Sequence, residues 1–199
     1  MMGAVMKTPL FPLNAIVCPQ GRISLQIFEP RYLDMVSDCL KTDTPFVAVL
    51  LREDTGTGSG DKEEFYRVGT LAKVVDFDKG ACDGFINVTI EGISQVSLSL
   101  AVQQDDGLWV ADIVRPNEED FVALPEQYSE LRAVLEALVQ HPFVQGLHMD
   151  IDYCDGRQVG WRLTELLPME NRQKQMLFEL KDPIQRLAEL SDQLASMML

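Results

Sequence analysis

The stretch DTGTGSGDKEE, residues 54–64, gathers glycines, hydroxyls and a lysine, the ingredients of a phosphate-cradling loop. A Walker A loop needs GxxxxGK and then Ser or Thr between a strand and a helix, so that backbone amides and the lysine surround phosphate. Here Asp61 follows Gly60, Glu63 follows Lys62, and strand-like sequence comes next. The acidic neighbours repel phosphate, and a hairpin loop is the better reading. HMDIDYCDG, residues 148–156, collects oxygen and imidazole donors. Counted from Asp150 as an EF-hand loop, the glycine position holds Asp155 and the bidentate glutamate position holds Trp161. Both requirements fail, so a solvated acidic turn ahead of a helix is expected instead of a metal site. The two histidines, His141 and His148, lie in neither HExxH nor GxSxG. His141 precedes Pro142 at a helix end, a natural capping position. No metal, cofactor or catalytic group is implied.

The remaining candidates for chemistry are a Glu-Pro-Arg triplet and a few aromatics. LQIFEPRYLDM, Leu25–Met35, places Glu29, Pro30, Arg31 and Tyr32 between an apolar run and a helical pattern. Pro30 suits the first helical turn, where its missing N–H costs nothing. Glu29 falls near the helix N-terminus, where negative charge is favoured by about 0.3–1 kcal/mol. Glu29 and Arg31 are expected mainly to fix the joint. Phe28, Arg31, Tyr32 and Trp161 are the candidate binding residues, although most aromatics in such stripes belong to a core.

The elements that must position them change type along the chain. Ile23, Leu25 and Ile27 alternate with polar residues, PFVAVLL is a short apolar run, and FYRVGTLAKVVDF offers a long extended segment. In FINVTIEGISQVSLSLAV, Ile86, Val88 and Ile90 alternate inward. After Gly92 the pattern resumes at Val96, Leu98, Leu100 and Val102. A glycine inside a strand pattern predicts a bulge or bend. LWVADIV is a last strand beyond a DDG turn at 105–107. Helical periodicity follows: Tyr128, Leu131, Leu135 and Leu138; Val159, Leu163, Leu166 and Leu167; and Leu187, Leu190, Leu194 and Met197 after Asp182-Pro183. In the first helix, Leu33, Val36 and Leu40 are expected to form the buried stripe, with Tyr32, Met35 and Cys39 beside it. The fold class is α+β, with a β-rich part at 1–117 and a helical part at 118–199.

The 199 residues suit one domain or two small ones, and 46% hydrophobic content supports a core. Net charge is −14; the chain through Arg115 carries 10 basic and 16 acidic residues, the rest 7 and 15. Both parts are acidic, which argues against nucleic acid and anionic membranes as partners. No apolar run approaches the roughly 20 residues of a membrane span. Four scattered cysteines, and an N-terminus without a long apolar core, suggest reduced thiols in the cytoplasm.

The chain resembles the N-terminal, substrate-binding domain of Lon-type ATP-dependent proteases, in its stand-alone bacterial form. The resemblance rests on PLFPLNAIVCPQGRISLQIFEPRYLDMV at 9–36, YRVGTLAKVVDF at 66–77 and VGWRLTELLPMENRQKQMLFELKDPIQRL at 159–187. Its most specific part is Phe11, Pro12, Leu13 and Asn14, then a turn, then FEPRY. Cys18 and Gln20 stand where a large apolar residue and a glycine are more usual, so the turn is where the shape is expected to differ. The resemblance implies a PUA-like curled sheet or pseudo-barrel followed by a helical bundle. It also implies a non-catalytic role, in contact with unfolded or tagged polypeptides and with a partner protease. A monomer or weak homodimer is expected. A small-molecule sensor with a pocket between the β and α parts is the alternative, and an unrecognised enzyme ranks last.

Overall fold

The computed structural model describes residues 7–52, 65–79, 84–117 and 119–197. The glycine-rich stretch 54–64 and Cys82 lie outside the described residues. Two compact units are present, Met1–Pro116 and Asn117–Leu199.

The first unit contains β1 (Thr8–Leu13), β2 (Arg22–Ile27), α1 (Pro30–Thr42), β3 (Phe46–Leu50), β4 (Val68–Lys79), β5 (Ile86–Gln103) and β6 (Trp109–Val114). The sheet order is β2-β5-β4-β3-β1-β6, and β6 pairs again with β5. This second pairing closes β5, β4, β3, β1 and β6 into a barrel, leaving β2 attached outside the ring. The ring closes because β5 is 18 residues long: Ile86–Glu91 pair with β2, while Ser97–Gln103 pair with β6. Only β1 and β3 run parallel, and the β2–α1 segment supplies the crossover that parallel strands require.

Alternating residues send β1, β3 and β4 into two apolar cores. Phe46 and Ala48 of β3 join Phe11, Leu13, Val88 and Ile90 beneath α1. Val47 and Val49 join Leu10, Leu71, Val96 and Leu98 on the opposite face. The even-numbered residues of β5 therefore change cores along one strand. The cause is a bulge: Leu71 pairs with Ser94 and Ala72 with Gly92, so the ladder skips Ile93. One extra residue reverses which side each later residue faces. The bend expected at Gly92 is present, and a second irregularity follows. The ladder to β6 slips between Ser99 and Val102, and Leu100 has a φ of 49°. Leu100 and Val102 are consequently exposed, not inward as the alternation predicted.

Gly92 is also held by sterics. A Cβ there would lie 2.2 Å from the carbonyl oxygen of Cys18, because the turn 18–21 sits directly on the strand. The Gln20 N–H donates to the Gly92 carbonyl and the Gly92 N–H to the Gly21 carbonyl, at 2.8 and 2.9 Å. Gln20 itself takes a φ of 62°, the left-handed conformation that glycine adopts without strain.

α1 departs from its expected face. Tyr32, Met35, Val36 and Cys39 are buried, whereas Leu33 is half-buried and Leu40 exposed. The hydrophobic stripe is rotated toward the aromatic side because Phe11 stacks on Tyr32, with ring centroids 4.7 Å apart.

The second unit contains a 3-10 turn (Glu126–Tyr128), α2 (Ser129–Val139), α3 (Pro142–Gln145), α4 (Gly156–Leu166), α5 (Asn171–Glu179) and α6 (Pro183–Met197). Tyr128, Leu131, Leu135, Val159, Leu163, Leu187 and Leu190 form its core, along the three helical stripes, but Met197 at the end of the last stripe is exposed. Two helix starts are capped by aspartates, of which Asp182 was expected from the sequence. Asp182 accepts from the Ile184 N–H and Asp155 from the Arg157 N–H, both at 2.9 Å. Asp155 corrects the expectation of a solvated acidic turn: it is 1% exposed and paired with Arg157 at 2.7 Å. At the other end of the unit, Arg186 is fully buried. It donates to the Leu177 and Leu180 carbonyls and makes a two-pronged pair with Glu119 at 2.6 and 3.1 Å. No helix of the described residues is long and apolar enough to cross a membrane.

Candidate functional site

The joint between β2 and α1 is built by Glu29, Pro30 and Arg31. Glu29 is the N-cap residue, but its carboxylate does not cap the helix; it pairs with Arg31 at 2.7 Å. Pro30 opens the helix, as its fixed φ favours. The other arm of Arg31 donates to the Gly107 carbonyl at 2.9 Å, tying the joint to the β5–β6 turn. Gly107 has a φ of 83°, and a Cβ there would lie 3.0 Å from the guanidinium. The guanidinium also lies over the Tyr32 ring, 4.8 Å from its centroid. Both side chains of the pair are partly exposed, which discounts its Coulomb energy. Arg31→Ala is expected to cost about 1–2 kcal/mol, through loss of the Arg31 bonds to Glu29 and to the Gly107 carbonyl, which keeps the Gln103 side-chain amide at 3.1 Å. A fall of several degrees in the unfolding temperature, with polypeptide binding retained, is the expected result; unchanged stability with lost binding would make Arg31 a contact residue.

The other candidates occupy different environments. Tyr32 lies in the core beneath α1, 7% exposed, and burial pushes its hydroxyl pKa up. Phe28 is 59% exposed, and its ring packs beside Phe85 at 5.7 Å. Trp161, in the helical unit, is half-buried with the Arg186 guanidinium over its ring at 5.4 Å. The four do not form one constellation: Phe28, Arg31 and Tyr32 belong to the β unit, and only Phe28 presents a large apolar surface.

Sheet register adds a residue that the sequence pattern did not single out. Leu25, Val88 and Phe77 stand in one row across β2, β5 and β4, on the face that packs against α1. Val88 is buried and Leu25 half-buried, yet Phe77 is 64% exposed. Phe77, Phe28 and Phe85 thus place aromatic surface around the end of this three-strand lobe. The reverse face of the lobe is polar. Arg22 and Lys73 hold Glu91 from two sides, at 2.7 and 3.4 Å, and Ser24 bonds Thr89 at 3.1 Å. Two exposed aromatics at the ends of adjacent strand patterns were the available signal, but only pairing brings them to one end.

Elsewhere the reactive groups are structural or isolated. The Nδ1 of His141 accepts from the Phe143 N–H at 3.3 Å, capping α3. Among the described residues, no group of three or more His, Cys, Asp or Glu side chains could hold a metal ion. Cys18 and Cys39 are buried and Cys154 is exposed, and none of the three is in a disulfide; burial pushes the Cys39 pKa up. A groove of about 420 Å³ runs between α5 and α6, lined by Met176, Leu177, Leu180, Glu189 and the amides of Gln173, Gln185 and Gln193. Among the described residues, the geometry offers surfaces for contact.

A closed β unit with an outlying edge strand, followed by a helical unit, is the architecture of a known recognition domain. The chain belongs to the ATP-dependent protease La (LON) substrate-binding domain family, whose model matches residues 7–196. That domain is non-catalytic. A Lon N-terminal domain protein from Xanthomonas campestris has a similar solved structure: TM-score 0.75 and 29% identity, covering 94% of this chain and 98% of that one. The N-terminal domain of the Mycobacterium avium complex Lon protease shares the fold, with a TM-score of 0.62 at 15% identity, covering 94% and 97% of the two chains. The Lon protease of Endomicrobium trichonymphae is 21% identical over 189 residues, which is 92% of this chain and 23% of that protein. The chain spans about a quarter of the length of this curated relative.

Proposed function

We propose that this chain recognises exposed segments of other polypeptides in the cytoplasm, serving a protease as an adaptor or acting in protein quality control. The observation that carries the reading is the aromatic end of the β2–β5–β4 lobe, Phe28, Phe77 and Phe85, on a domain of a substrate-binding family. Unfolded segments differ from folded surfaces by presenting apolar side chains, and exposed aromatics capture these by removing both partners from water. The −14 net charge keeps nucleic acids and other acidic surfaces away without affecting apolar contact.

A fluorescently labelled, reduced and carboxymethylated polypeptide, which cannot refold, is a suitable probe for anisotropy titration. Saturable binding is expected. Because burying much of a Phe side chain contributes about 1.5–3 kcal/mol, Phe77→Ser is expected to weaken binding at least about tenfold. The reading falls if no saturation appears at high micromolar protein, or if the Phe77 and Phe28 serine variants bind like wild type. Capture of a protease by the intact protein would specify the adaptor role.

One observation supports a small-molecule reading instead. The α5–α6 groove has a volume within the range of ligand pockets and combines apolar walls with a few amide groups.

A further inference from the structure

We propose that β2 receives the bound polypeptide as an added strand, so that recognition at this lobe is made by backbone hydrogen bonds as well as by aromatic contact. The inference rests on the polypeptide-recognition reading and specifies the form in which the substrate binds.

Among the described residues, β2 is the one strand of the sheet with a single neighbour; every other strand is paired on both sides. The ladder shows which of its backbone groups are unused. The Gly92 N–H donates to Gly21, which makes 21–92 a bonded position. In an antiparallel pair, bonded and non-bonded positions alternate. The bonded positions in β2 are therefore Ile23, Leu25 and Ile27, opposite Ile90, Val88 and Ile86. Ser24 and Gln26 turn their N–H and C=O groups away from β5, toward the open edge. No hydrogen bond from another described residue meets those backbone groups, and both residues are exposed.

Proteins normally guard such an edge with proline, lysine, a bulge or a covering element. RISLQI has neither proline nor lysine, and its register with β5 is unbroken. Its one charge, Arg22, is drawn across the polar face onto Glu91. An unguarded edge of alternating β-formers is the template to which an extended chain adds, main-chain bonds giving affinity and alternate side chains giving selectivity. An occupant in register would direct every second side chain to the face of Ile23, Leu25 and Ile27. The intervening side chains would lie beside Ser24 and Gln26. The occupant is therefore an extended segment with apolar residues at alternate positions. Because the bonds are to backbone, many sequences qualify, as a receptor for unfolded chains requires.

The test is Gln26→Pro, which deletes an outward N–H without touching the bonds to β5; proline is tolerated at such edge positions. With the carboxymethylated probe, binding is expected to weaken about tenfold, since one bond is lost and its acceptor is left unpaired. Amide exchange in the wild-type protein gives a second readout, independent of whether the variant folds. Saturation with probe should slow exchange at Ser24 and Gln26 at least about tenfold, while amides already bonded to β5 change less. If wild type and Gln26→Pro bind alike while Phe77→Ser still weakens binding, or if exchange at Ser24 and Gln26 is unaffected, the edge is not the docking site and the broader reading stands. If wild type binds no probe, the broader reading fails and this inference with it. Protection that rises with protein concentration in the absence of probe would assign the edge to a second copy of the chain.

Discussion

Arg186→Ala is expected to destabilise the helical unit by about 3–5 kcal/mol, the loss typical when one partner of a buried ion pair is removed. Arg186 sits at 0% exposure, and one side chain there satisfies the Leu177 and Leu180 carbonyls at the end of α5 and both oxygens of Glu119. It also lies over Trp161 and against Gly160, where an added Cβ would come within 3.2 Å of its Cδ. Truncation leaves a carboxylate of low exposure without its cation, takes a donor from the Leu180 carbonyl and one of two from the Leu177 carbonyl, and opens a void against the indole. Urea unfolding followed by tryptophan fluorescence would measure the loss. Arg186→Lys should recover less than half of it, because an ammonium lacks the planar fork that reaches Glu119 in two prongs. Removing both charges, with Arg186→Met and Glu119→Met, should recover more than the lysine variant, since no buried charge then remains unpaired. A single alanine variant within 1 kcal/mol of wild type, on the order of an ordinary surface substitution, would contradict the assigned role.

Gly92→Ala is the second large effect. A methyl group 2.2 Å from the Cys18 carbonyl oxygen overlaps backbone, which cannot rotate away as a flexible side chain could. Relief requires the turn 18–21 to lift from β5, breaking its two hydrogen bonds to Gly92. Overpacking alone costs about 1–3 kcal/mol, and the two lost bonds add about 1 kcal/mol each. A loss of about 3 kcal/mol or more is expected in the β unit, measured by chemical denaturation. A neutral substitution would mean that the turn does not rest on the strand.

These two residues show what the sequence made legible and what it did not. Gly92 interrupted a clean alternation, and that interruption marked the bulge correctly. The pattern could not say that one extra residue moves Val96 and Leu98 into a different core from Val88 and Ile90, because alternation has no memory of which face it serves. Nor did it mark the second slip, at Leu100, where no glycine or proline announces the left-handed backbone. Leu40 illustrates a related error: helical spacing identified an apolar stripe, but stacking between Phe11 and Tyr32 rotated the buried face toward the aromatic side. Arg186 left no trace at all, because an arginine on a helix reads as solvated until tertiary structure places carbonyls and Glu119 around it. In the candidate surface, Phe28 was visible as an aromatic at a strand end. Phe77 and the open edge of β2 were not, since both depend on strand neighbours decided far along the chain.

The pairing of Thr8 with Ala111, and of Phe11 with Ala48, has a consequence for biosynthesis. Of the described strands, β1 precedes the others in the chain and waits longest for both its neighbours. Until residues 109–114 have been translated, β1 carries Leu10, Phe11 and Leu13 without the partner that shuts the ring. Contacts so distant in sequence form slowly and leave apolar chain uncovered meanwhile. A nascent copy of this protein therefore passes through the condition, an unsheltered apolar segment, that the finished one is proposed to detect.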